Sequence, residues 1–128
     1  MPKNLLFRTL VEVLGKPKEY VELSIKDYIQ QLKKNERYKV VNEELAEAKK
    51  QDDTELWAIF AELEVRTEKI EDIIGFCFDY MPSLVEILEP KELSLSEVDI
   101  SHFLNDLQAK LHQVDMLAKQ MKLENDHL

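Results

Sequence analysis

The sequence contains few glycines and one cysteine, and it has no long apolar run. Two glycines among 128 residues exclude a glycine-rich loop of the kind that cradles phosphate. Cys77 alone can form no disulfide within the chain and no cysteine-based zinc knuckle, which fits a reducing compartment. No apolar run approaches the roughly 18–20 residues that cross a bilayer, and none lies in a signal-peptide context. We therefore expect neither a membrane protein nor a secreted one.

Acidic side chains outnumber basic ones. The 26 Asp and Glu residues against 17 Lys and Arg residues give a net charge of −9 and an isoelectric point near 4.8. A field of this sign repels nucleic acids and anionic lipids. We therefore expect no nucleic-acid partner and no membrane partner, and the single cysteine fits a cytoplasmic protein.

The spacing of apolar residues changes several times along residues 1–92, and the order of these changes indicates one small α+β domain. Alternating apolar residues predict strands, and apolar residues three and four apart predict helices. The order is strand, helix, strand, strand, helix, strand, over residues 5–14, 19–34, 38–49, 55–66, 67–81 and 83–88. This order is the ferredoxin-like βαββαβ pattern, an antiparallel sheet with two helices on one face. Thr67 is the predicted N-cap of the second helix.

The same periods predict which side chains are buried. In the 55–66 strand, one face carries Trp57, Ile59, Ala61, Leu63 and Val65. The second helix buries a stripe made of Ile70, Ile73, Ile74 and Cys77, so Phe76 and Tyr80 fall off it. The sheet face away from the helices carries Leu10, Leu14, Leu56, Ala58 and Phe60. Because this face is too apolar to remain bare, we place Phe60 in an oligomer interface, covered by the linker, the tail helix or a second subunit's sheet.

Residues 93–128 form a predicted linker and a long amphipathic helix. Its apolar positions are spaced alternately by three and four residues, the heptad pattern of a coiled coil: Ile100, Leu104, Leu107, Leu111, Val114, Ala118, Met121 and Leu128, with Asn125 completing the pattern. A helix from about Asp99 to the end would be roughly 45 Å long, whereas a four-stranded sheet is only about 20 Å across. The seam therefore needs a partner chain, which predicts a homodimer or a tetramer. Lys110 would meet Asp115 of a parallel partner, but the orientation stays open.

Two sets of polar residues contain side chains of the types that bind ligands. Asp99, His102 and Asp106 follow one helix face, and zinc accepts these ligand types. Glu12, Glu62 and Glu64 share one sheet face, where paired carboxylates can bind a cation or divide acid and base roles. The helix turn lacks a second histidine, and Arg8 and Arg66 neutralise the glutamates. We therefore expect solvated faces, with no metal, no cofactor and no catalytic residue.

Three segments resemble small uncharacterised archaeal proteins with a βαββαβ head and a C-terminal helical tail. They are Gly15-Lys16-Pro17-Lys18-Glu19, residues 74–82 (IGFCFDYMP) and residues 103–108 (FLNDLQ). The resemblance covers most of the chain. It implies the fold and a cytoplasmic location, and it carries no assigned activity and no functional residue.

Two functions remain after these exclusions. The first is a non-enzymatic assembly module, a homo-oligomer held by the tail helix that offers an acidic surface to a protein partner. The alternative is a small-metabolite sensor or enzyme with its site between subunits of a dimeric ferredoxin-like domain, which rests on fold analogy alone. A site of the second kind needs convergent polar groups in a pocket. The sequence indicates no such set, so it favours assembly.

Overall fold

A computed structural model describes residues 4–126 of the chain. Contacts divide the chain between Leu93 and Ser94 into two units, which we call the head (residues 4–93) and the tail (residues 94–126). The head contains β1 (Leu5–Gly15), α1 (Lys18–Lys34), β2 (Lys39–Leu45), β3 (Lys49–Lys50), β4 (Trp57–Thr67), α2 (Ile70–Tyr80) and β5 (Leu84–Glu89). The tail contains α3 (Glu97–Asp126).

The head is an antiparallel sheet with the strand order β2-β4-β1-β5, and the two-residue β3 also pairs with β4. The long strands β1 and β4 lie at the centre and pair along their full 11-residue lengths. The shorter strands β2 and β5 form the edges. This order confirms the predicted α+β fold with ferredoxin-like connectivity.

Both helices of the head cover the same face of the sheet. Alternate residues of β1 point to that face, where Leu5, Phe7 and Val11 are buried. The ring of Phe7 lies 5.1 Å from the ring of Phe76 in α2. From α1, Lys33 forms an ion pair with Glu43, which sits beside the buried Leu63 in the β2–β4 ladder. The opposite face, which we call the open face, is covered by neither α1 nor α2.

Five aromatic residues from β1, α1, α2 and the position before β2 form one cluster of ring contacts: Phe7, Tyr28, Tyr38, Phe76 and Tyr80. Phe76 is fully buried, and its ring stacks on Tyr80 at 5.2 Å. The hydroxyl of Tyr28 donates to the carbonyl of Tyr80 at 2.8 Å, and that of Tyr38 donates to the carbonyl of Asp72 at 2.6 Å. Each hydroxyl is therefore satisfied although both rings are largely out of water.

This cluster corrects the predicted burial of α2. Ile70, Ile73 and Ile74 are buried as expected, but Phe76 is buried instead of Cys77, which is half-buried. The reason is a tertiary one. Tyr38 precedes β2, and its ring contacts both Phe76 and Tyr80 edge-on. These contacts place Phe76, in the C-terminal half of α2, on the buried side of the helix.

The start of α2 and the 38–49 strand also differ from the prediction. The helix begins at Ile70 with Lys69 at the N-cap, so Thr67 is not the cap. Thr67 is the last residue of β4, and its hydroxyl donates to the Asp72 carboxylate at 3.0 Å. The predicted strand is divided into β2 and β3, with a change of register between Val40 and Asn42.

Trp57 lies on the predicted face but is half-buried, not deep in the core. It is the first residue of β4 and pairs with Gly15 at the end of β1. The Lys18 ammonium lies 5.4 Å from the ring centroid, a cation–π contact that is weak where water reaches it.

Truncating Phe76 and Trp57 compares a fully buried aromatic side chain with a half-buried one. Phe76→Ala should lower the free energy of unfolding by about 3–5 kcal/mol, because it leaves a cavity in a fully buried site. Trp57→Ala should cost less, because part of its ring is already in water. Urea denaturation of both variants measures the difference, and an equal loss would contradict the burial described here.

The buried tyrosines predict a loss of stability in alkali. Burial raises the pKa of Tyr28 and of Tyr38 above the ordinary value of 10.0. Since the unfolded chain loses these protons first, their contribution is complete below about pH 10 and disappears as the pH rises toward the folded values. Urea unfolding between pH 8 and about pH 11 should show this decline. It should be shallower in the Tyr28→Phe/Tyr38→Phe variant, and an unchanged slope would refute the assignment.

Candidate functional site

The tail helix begins with a reciprocal capping interaction. The backbone N–H of Asp99 donates to the Ser96 hydroxyl at 3.1 Å, and the backbone N–H of Ser96 donates to the Asp99 carboxylate at 3.2 Å. This capping box satisfies N–H groups that have no partner within the helix. The pattern Ser-x-x-Asp is visible in the sequence, and it gives Asp99 a structural role.

The heptad seam of α3 is exposed along the helix. Ile100, Leu104, Leu111, Val114 and Met121 are between 45% and 63% exposed. Ala118 is also exposed, Leu107 is half-buried, and Leu128 lies outside the described residues. Monomeric soluble proteins rarely leave a continuous apolar stripe of this length in water. The seam is therefore a continuous, exposed apolar stripe along the described tail.

A second apolar stripe lies on α3 and was missed by the heptad analysis. Met116 is 69% exposed and Leu123 is 61% exposed. With about 100° of rotation per residue, both project from the side of the helix opposite the seam. Leu117 lies between the two stripes and is also exposed. The second half of α3 thus offers apolar side chains on two sides, a pattern that a search for one seam does not detect.

The open face of the head sheet is organised around Arg8. Its guanidinium donates to Glu62 at 2.9 Å and to Glu86 at 3.0 Å, which joins the central strands to the β5 edge. These hydrogen bonds and charges raise the pKa of Arg8. At the end of the same face, Arg66 forms an ion pair with Glu89 at 3.5 Å. Of the three glutamates that Arg8 and Arg66 were predicted to neutralise, Glu62 forms an ion pair, whereas within residues 4–126 Glu12 and Glu64 form none and the other partners are Glu86 and Glu89.

Apolar side chains share the open face with these charges. Leu14 is 56% exposed, Phe60 44% and Leu84 38%. Phe60 lies across from Glu12 in the β1–β4 ladder, and Leu14 lies across from Ala58. Phe60 is thus on the face that the sequence assigned to it, and it is accessible in the single chain.

The two polar sets suggested by the sequence do not assemble into ligand sites. Asp99 caps α3, and Glu62 is paired with Arg8. His102 and Asp106 are exposed on the tail helix. Among residues 4–126, no group of three or more His, Cys, Asp or Glu side chains is placed to hold a metal ion.

Two other features of the head are candidates for ligand binding or reactivity: a cleft and a cysteine. A cleft of about 600 Å³ near the N-terminal end of α2 is lined by Arg37, Lys39, Arg66 and Lys69, and also by Glu36, Glu68 and Asp72. Because cations and carboxylates nearly balance there, the cleft does not select strongly for an anion. Burial raises the pKa of the Cys77 thiol, which keeps it protonated and weakly nucleophilic at neutral pH.

Residues 7–126 match the MJ0538 family, a match that spans almost the whole head and the whole described tail. The chain belongs to this family. No curated protein and no solved structure matches the chain. Within residues 4–126, no helix is long and apolar enough to cross a membrane. The seam of α3 and the open face of the head remain as the candidate functional surfaces.

The absence of a preformed ligand set among residues 4–126 predicts a weak response to metals. Adding zinc, magnesium or calcium should raise the melting temperature by no more than about one degree, because only a ligand that prefers the folded state stabilises it. Differential scanning calorimetry with and without each chloride salt tests this. A large, saturable rise with one metal would instead assign a site to Asp99, His102 and Asp106 or to Glu12, Glu62 and Glu64.

Proposed function

We propose that this protein is a non-enzymatic assembly module of the archaeal cytoplasm. Copies of the chain join through the seam of α3, and the heads present an acidic surface to a protein partner. The observation that carries the proposal is the exposed heptad seam between Ile100 and Met121. A coiled coil buries such a seam by inserting each side chain between four residues of the facing helix.

The energetics of α3 support pairing. A helix in water depends on packing of its apolar face, because intrinsic propensity alone leaves it marginal. Each leucine, isoleucine, valine or methionine removed from water contributes roughly 1.5–3 kcal/mol. Burying several such residues on each of two helices contributes more free energy than the roughly 4–15 kcal/mol that association costs. Pairing through the seam therefore stabilises both the helix and the oligomer.

The distribution of charge also favours the seam as the contact. The chain carries a net charge of −9, so two copies repel each other over most of their surfaces. The heptad positions from Ile100 to Met121 contain no charged residue. In a parallel pair, Lys110 lies beside Asp115 of the other chain, which adds attraction at the edge of the seam.

The second stripe of α3 bears on the number of chains. A two-stranded coiled coil covers the seam and leaves Met116 and Leu123 in water. A four-chain assembly would cover more of this apolar surface. The molecular mass in solution distinguishes the two cases.

Substituting two central seam residues tests the proposal. Leu107→Glu/Leu111→Glu places charges in the seam and should release monomers whose heads remain folded. The control Asn105→Glu/Ala109→Glu adds the same two charges to exposed positions of α3 outside the seam, and it should keep the wild-type mass. Light scattering at tens of micromolar measures the mass, and circular dichroism monitors the fold.

Either of two outcomes would contradict the assembly function. One is a monomeric wild-type protein at these concentrations. The other is a Leu107→Glu/Leu111→Glu variant that retains the mass of the wild type. A loss of mass in the control variant as well would assign the effect to added charge and not to the seam.

A further inference from the structure

We infer that the open face of the head sheet binds a basic amphipathic helix of a partner protein. The apolar side of that helix would lie on Phe60, Leu14 and Leu84, and its lysines or arginines would meet the surrounding glutamates. The inference rests on the proposed function, in which the heads offer an acidic surface to a protein. The inference specifies the location of that surface and the chemistry of the partner that it recognises.

The apolar side chains of the open face lie close together in the ladders. Leu10 of β1 lies across from Leu84 of β5, and Leu14 of the same strand lies across from Ala58 of β4. Phe60 follows two residues after Ala58, on the same side of the pleat. A solvated sheet face is usually polar at such positions, so this group forms an apolar patch on the open face where β1 ends and β4 begins, with Glu12 between Leu10 and Leu14 on β1.

The carboxylates of the open face are only partly neutralised. Arg8 pairs with Glu62 and Glu86, and Arg66 pairs with Glu89. Within residues 4–126, no ion pair is formed by Glu12, Glu44 or Glu64. Glu12 lies across from Phe60, and Glu44 lies across from Glu62. Negative charge that forms no ion pair among residues 4–126 therefore lies within the patch at Glu12 and beside it at Glu44, whereas Lys49, across from Ala58, places a cation at the other end.

This combination selects the charge of the occupant. Complementary potentials steer association, and like charges brought together oppose it. A second copy of the sheet would bring the same glutamates face to face, which disfavours pairing of the open face with itself. A partner with apolar and cationic side chains satisfies both parts of the surface.

The shape of the surface selects a helix. Added strands bind through the free backbone groups of a sheet edge, whereas amphipathic helices bind through side-chain packing on an apolar surface. The exposed groups of the patch are side chains of the central strands and of β5, and the central strands have no free edge. A helix lying across the face reaches Phe60 and its bordering glutamates together.

A peptide titration tests the inference. The probe is a fluorescein-labelled amphipathic peptide of leucine and lysine, and fluorescence anisotropy with the full-length protein measures its binding. Phe60→Ser and Glu12→Gln/Glu64→Gln should each weaken binding by about tenfold. The control Glu19→Gln/Asp27→Asn removes the same two charges from exposed positions of α1, on the other side of the sheet, and it should bind as the wild type does. Circular dichroism checks that every variant is folded.

Three results would overturn the inference. The first is that the peptide does not bind. The second is that the α1 control weakens binding as much as the open-face variants do. The third is that a leucine–glutamate peptide of the same pattern binds equally well. The proposed assembly is judged separately, by light scattering on the same samples. A wild-type monomer that still binds the peptide through Phe60 would refute assembly through α3 and support docking on the open face.

Discussion

The pairing of β1 with β4 is the interaction on which the architecture of the head depends. Both strands are central, and their register from Leu5 opposite Thr67 to Gly15 opposite Trp57 assigns every residue of either strand to one face. A slip by one residue would move Phe7 and Val65 to the open face and bring Arg8 and Glu64 under the helices. Such a slip is excluded energetically, because it would bury charges while exposing the core. The same register places Phe60 beside Glu12, so the composition of the open face follows from the pairing that builds the core.

The tail follows a different physical rule. In α1, buried residues Val21, Ile25, Ile29 and Leu32 anchor the helix to the sheet. In α3, the large apolar residues are exposed on most of the helix, and the capping box at Ser96 stabilises only its first turn. Capping contributes about 1 kcal/mol, which is small compared with the burial of a seam. The head is thus stabilised by its own core, whereas the described part of α3 leaves most of its apolar side chains exposed, which is the basis for the proposed pairing.

Most of the fold could be predicted from the sequence because the periods of its apolar residues are regular. The alternation from Trp57 to Val65 gave β4 and its buried face, and the heptad spacing gave α3. The errors arose where tertiary contacts override local pattern. Phe76 is buried by the ring of Tyr38, which lies more than thirty residues earlier in the sequence, and Thr67 bonds the Asp72 side chain from the end of a strand instead of capping a helix. The pairing of Arg8 with Glu86 likewise depends on β5 lying beside β1, which no local pattern specifies.

The proposed burial of the α3 seam by a second chain is tested most directly by hydrogen exchange. Amide exchange of residues 104–121 should be slow at high protein concentration and should become faster on dilution, as the partner helix dissociates. Amides of β1 and β4 serve as an internal reference, because their protection belongs to the head and should not depend on concentration. Protection of α3 that stays the same across the dilution series would contradict the claim.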